Sequence, residues 1–118
     1  VDWLISKQHP SGMFIDVHNR GNDTIVTSHG QGLFALAYHL VMTRDLAYGR
    51  KVYPAIRKGA QFIVNDHKTN NKYGLIRPSI PYDAPMVTGY HTCHNLFALL
   101  ALRTSIRAQA PGFTCNTW

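Results

Sequence analysis

The chain has 118 residues, enough for one domain with a modest core. Hydrophobic residues make up 45% and charged residues 15%, a globular balance that excludes an intrinsically disordered chain. The formal charge of +6 comes from 12 Lys and Arg spread thinly against 6 acids, all Asp, and without a dense basic tract this argues against specific nucleic-acid recognition.

In chain order, residues 1–7 read as the end of a helix, closed by His9, Pro10, Ser11 and Gly12, because Pro and Gly so close together end helices and make turns. No initiator Met or signal pattern precedes it, which points to a piece of something longer. Residues 13–28 form a long loop in which Asp16, His18, Asn19, Gly21, Asn22 and Asp23 frame one β-prone run, Thr24 to Thr27. Loops longer than about 12 residues usually carry function or disorder. Leu33, Leu36, Ala37, Leu40 and Val41 fall at helical spacing and predict a helix from about residue 30 to 43. Asp45 is the expected N-cap of a second helix through Leu46, Val52, Ile56, Phe62 and Ile63, which Pro54 should bend or restart.

Residues 67–73 close that helix, and residues 74–85 are extended, since Pro78, Pro81 and Pro85 forbid a helix there. Thr88 or Thr92 caps a third helix reaching about Gln109, whose stretch from Leu96 to Leu102 is apolar nearly all round and expected to be buried on most sides. Pro111 and Gly112 end it, so residues 1–110 read as one helical-hairpin domain and residues 111–118 as a tail. No run approaches the roughly 18 to 20 apolar residues needed to cross a bilayer, so a soluble chain with no membrane partner is expected. Cys93 and Cys115 form no CxxC pair and read as free thiols of a reducing, cytoplasmic setting.

Two stretches are near copies: His29 to Tyr38 and His91 to Leu100 share the Leu-Phe-Ala-Leu phrase, and aligning Phe34 with Phe97 gives an offset of 63. Upstream, Gly12, Met13 and Phe14 precede the first phrase much as Gly74, Leu75 and Ile76 precede the second. A unit of this length reads as helix, long loop, helix, and such units bury their apolar stripes by stacking on copies of themselves.

The order of tight helical pairs, the loop from Gly74 through Ile80, Pro81, Tyr82 and Asp83 to Pro85, and the following helix from Gly89 through His91, Thr92, Cys93 and His94 to Arg103 resemble the six-hairpin glycosidases. The resemblance covers the chain to about Ala110 and implies an all-α fold of helical hairpins, a partial (α/α)6 toroid. It also implies an active site in the loops that lead into the inner helices. About two of six hairpins are present, so inner-helix faces would stay uncovered, and a homo-oligomer that closes the ring by self-association is expected.

Under that resemblance the chain belongs to a carbohydrate-active hydrolase lineage acting on a saccharide or other small-molecule substrate, with no cofactor required. Glycoside hydrolysis needs two carboxylates across the scissile bond. Asp83 and Asp16 are the candidates, with Tyr82 and Tyr90 as aromatic faces for a sugar ring and His18 beside Asp16. A turn or capping role accounts for Asp83 equally well.

Two other readings stand beside this one. His91 and His94, spaced i, i+3 at a helix start, with His29 as the counterpart of His91 in the first copy, would suit a divalent metal, zinc or manganese, in a hydrolase of another ester such as a phosphoester. The third reading is a catalytically silent helical fragment that self-associates.

Overall fold

The computed structural model of the chain describes residues 1–14, 26–70, 72–79 and 88–108. They form four helices, α1 (Asp2–Ser6), α2 (Val26–Thr43), α3 (Leu46–Asn70) and α4 (Thr92–Arg107). No strand occurs among the described residues. Two isolated antiparallel bridges, Gln8 with Phe14 and Ser79 with Gly89, stand where the chain turns between helices.

The five-residue α1 is too short to hold itself. Leu4 and Ile5 pack on the core, and Lys51 Nζ lies 2.6 Å from the Asp2 carboxylate. The chain then reverses at Gly12, whose φ of 97° favours glycine. A Cβ there would sit 2.2 Å from the Lys58 carbonyl oxygen, so the turn lies flat on α3. Gln8 fastens it further, donating Nε2–H to the carbonyls of Gly12 at 2.8 Å and Ala55 at 2.9 Å.

Val26 and Thr27, read from sequence as part of a β-prone run, belong to α2, which begins four residues earlier than its apolar periodicity suggests. Packing at His29 and Gly30 draws these β-branched residues into the helix, since local propensity is a weak prior against tertiary contacts. The α2–α3 turn is tight. Arg44 takes the left-handed region at φ 52°, and Asp45 Oδ1 accepts from the backbone N–H of Ala47 at 2.9 Å and Tyr48 at 3.0 Å, the N-cap its sequence position predicts.

Of the two expectations for Pro54, a bend or a restart, the restart is not met: α3 runs through Pro54 as one helix. Pro54 is exposed, so the Arg50 carbonyl left without its i+4 donor faces water rather than the core. The third predicted helix is α4. His91 rather than Thr88 or Thr92 is its N-cap residue, with no side-chain capping bond, and it ends at Arg107.

The core joins Leu33, Leu36 and Leu40 of α2, Val52, Ile56 and Ile63 of α3, and Ala98 and Ala101 of α4, closed by Phe14 and Ile76 from the turns. Helices α2 and α4 approach so closely that a Cβ on Gly30 would lie 2.9 Å from Phe97 Cβ. The expected burial of α4 on most sides is not met: Leu96, Leu99 and Ile106 are exposed, because one face alone meets α2 and α3. No helix among the described residues is long and apolar enough to cross a membrane.

Candidate functional site at the starts of α2 and α4

Gly30 and Phe97 both lie near the beginnings of their helices, so their contact sets the N-terminal turns of α2 and α4 side by side. The segments leading into those turns are residues 15–25 and 80–87. Asp16, His18, Tyr82 and Asp83, the proposed acids and two of the substrate contacts, fall in these segments and lie outside the described residues.

Around that junction each copy ties its incoming turn to the following helix, at positions that the offset of 63 does not align. In the first copy the Phe14 N–H donates to His29 Nδ1 at 3.0 Å, and in the second the Ile76 N–H donates to Asn95 Oδ1 at 3.1 Å. Each follows a glycine at positive φ, Gly12 and Gly74, and each joins a turn to the helix after it. Asn95 also donates Nδ2–H to the His91 carbonyl at 3.1 Å, so one amide holds both the incoming turn and the helix start.

His29 is fully buried, stacked on Phe14 at 5.6 Å and edge-on to Phe62 at 4.9 Å. Its Nδ1 accepts from Phe14, so the proton sits on Nε2 and is donated to the Gly59 carbonyl at 3.0 Å. Burial pushes its pKa down to about 4, against the opposing pull of the Gly59 hydrogen bond and the Asp66 charge. With both ring nitrogens engaged, His29 has no lone pair left for a metal. At the offset of 63 it aligns with Thr92, and the histidine that shares its burial is His94 rather than His91.

His91 and His94 do meet, their rings 5.0 Å apart and edge to face. His94 is fully buried, and neither of its ring nitrogens has a hydrogen-bond partner. Burial first, and the neighbouring His91 second, lower its pKa. Among the described residues no group of three His, Cys, Asp or Glu is gathered to hold a metal.

Tyr90 stands edge-on to Tyr73 at 5.3 Å. It lines an open polar recess of about 550 Å³ with Lys68, Thr69, Asn70, Lys72 and Pro78. Beside it the Ser79–Gly89 bridge, with N···O distances of 3.0 and 3.2 Å, clasps the base of the segment that carries Tyr82 and Asp83. Cys93 is exposed with a free thiol.

Comparison with family models, with curated proteins and with solved structures finds no match.

One residue that sequence reasoning passed over is central to this end of the molecule. Asp66 of α3 is buried and pairs with Arg77 Nε, while its Oδ2 accepts the Arg77 backbone N–H at 3.0 Å and its Oδ1 accepts Asn70 Nδ2–H at 3.2 Å. Arg77 lies over the Phe62 ring at 5.5 Å. The signal was present: Asp66 interrupts the apolar stripe of Phe62 and Ile63 on the face that points inward.

Proposed function

We propose that the chain is a glycoside-hydrolase-like unit, part of an (α/α)6 ring completed by self-association, whose acid chemistry comes from Asp83 and Asp16. The supporting observation is one of elimination. Of the six carboxylates, Asp2 pairs with Lys51, Asp45 caps α3 and Asp66 is locked to Arg77. The remaining three, Asp16, Asp23 and Asp83, stand in the two segments that enter α2 and α4, and the starts of those helices lie together. One acid from each segment is the pairing that glycoside hydrolysis needs. Tyr90 and its recess of Lys, Thr and Asn side chains offer an aromatic face with hydrogen-bonding groups, a surface suited to a saccharide. Asp83→Asn should abolish hydrolysis of a responsive glycoside while the helical circular dichroism stays intact, and unchanged turnover would refute the assignment.

A second reading is favoured by His94, whose unpartnered imidazole beside His91 offers one ligand nitrogen for zinc or manganese in an ester hydrolase. Loss of activity on chelation, restored by zinc or manganese, would support it over the first. Unchanged activity in chelator would exclude it.

A further inference from the structure

We propose that copies of this chain associate head to tail, the α4 face bearing Leu96 and Leu99 of one copy seating on the α2 face bearing Tyr38 and Met42 of the next. The inference rests on the partial-ring reading and specifies which surfaces close it.

The repeat makes the argument. At the offset of 63, Leu33 and Leu36 of α2 correspond to Leu96 and Leu99 of α4. The first pair is 0% and 3% exposed, and the second 51% and 54%. The same residue types on the same arc of two equivalent helices are covered in one copy and bare in the other. What covers the first pair is the rest of the hairpin array, and nothing among the described residues does this for the second.

The reverse correspondence is equally consistent. Ala101 and Ser105 of α4, 0% and 7% exposed, fall on Tyr38 and Met42 of α2, which are 47% and 64% exposed. Helix α4 therefore shows the arc that α2 hides, and α2 shows the arc that α4 hides. Two bare arcs related in this way are the two halves of one more α2–α4 junction.

Composition supports the same conclusion. A helix facing solvent normally carries charged residues on its outer side, yet α2 contains no Asp, Glu, Lys or Arg anywhere in its length. Its exposed arc is Gln31, Ala35, Tyr38, His39 and Met42. The solvent side of α3, by contrast, carries Arg50, Lys51, Arg57, Lys58 and Lys68. An uncharged α2 arc can receive the α4 surface, with Arg103 at its edge, without burying a like charge. The new junction is wider than the internal one, because the position of Gly30 is held in α4 by Cys93, whose side chain prevents the same backbone approach.

Each copy uses a different face toward each neighbour, so the contact is heterologous. Such contacts close into a ring where the rotation between copies permits it and otherwise run on as an open filament.

The test uses two variants of the full chain, Leu96→Lys and Met42→Lys, each spoiling one face and leaving the other intact. Wild type should sediment above the monomer mass, and each variant alone should fall to monomer with unchanged helical circular dichroism. An equimolar mixture of the two variants should recover a dimer, because one good α4 face and one good α2 face remain. A monomeric wild type at high micromolar concentration would overturn both this contact and ring completion. An oligomer that survives both substitutions would overturn the contact and leave ring completion standing. Monomeric variants that do not pair on mixing would overturn the head-to-tail arrangement. If either lysine disturbs folding, Leu96→Gln and Met42→Gln serve the same comparison. Hydrolysis of a glycoside is read separately, so the catalytic proposal and the assembly proposal can fail independently.

Discussion

Phe14 gives its backbone N–H to Nδ1 of His29, fixing which ring nitrogen carries the proton and tying the first turn to α2. The imidazole is thus held neutral in the core with Nε2–H on Gly59. In the folded state the proton binds only near pH 4, against 6.5 when exposed. An unfolded chain takes it up first as pH falls, so this histidine's contribution is intact above about 6.5 and lost as pH drops toward 4, a cost of about 3 kcal/mol. His94 is shifted the same way and adds to the loss. The His29 Cε1–H resonance should stay still from pH 7 to 5 and move near 4, while the urea unfolding free energy declines over the same window. A His29 titration near 6.5 would contradict the buried neutral imidazole.

Close backbone approach makes two glycines hard to replace. Gly12→Ala forces a side chain into the left-handed region and against the Lys58 carbonyl, where backbone cannot yield. Gly30→Ala meets Phe97 Cβ and the Ala98 backbone nitrogen at 2.9 and 3.2 Å, which must part α2 from α4. An overpacking cost of about 1 to 3 kcal/mol exceeds the gain of about 1 kcal/mol from replacing a helical glycine. Thermal unfolding should rank Gly12→Ala below Gly30→Ala, and both below wild type. An alanine that stabilises at position 30 would show the helices are not in contact there.

Removing Asp66 leaves the Arg77 guanidinium over Phe62 without its carboxylate, and three hydrogen bonds go with it. Asp66→Ala should cost about 3 kcal/mol in denaturant unfolding, the low end for a broken buried pair because Arg77 is partly exposed. Arg77→Ala should cost less, since the Asp66 carboxylate keeps the residue-77 backbone N–H and the Asn70 amide. Equal losses would mean the carboxylate depends on the guanidinium alone.

Much of this architecture was legible in the chain itself, and the reasons differ by element. The spacing of Leu33, Leu36, Ala37 and Leu40 marked α2, and Asp45 marked the start of α3, because apolar periodicity and capping are local signals. The start of α2 was misread, since Val26 and Thr27 prefer strands until the contacts at His29 and Gly30 commit them to a helix. The restart expected at Pro54 did not occur, because a proline on the solvent side leaves only an exposed carbonyl unpaired. The burial of Leu96 and Leu99 was overestimated, because one face alone of α4 meets α2 and α3. At the site, the His91–His94 pair followed from i, i+3 spacing, whereas the commitment of both His29 nitrogens depends on Phe14 and Gly59, which only folding brings together.

The proposed chemistry depends on the segments entering α2 and α4 bringing one carboxylate each to a common rim. Asp16→Cys and Asp83→Cys, introduced together with Cys93→Ser and Cys115→Ser, test this without knowledge of the substrate. A bis-maleimide of about 8 Å span, within the separation of carboxylates in inverting glycosidases, should bridge the two thiols within one chain, read as a single-chain mass gain of one linker after denaturation. Only singly anchored linkers, or bridges solely between different chains, would place the two acids apart and contradict the account.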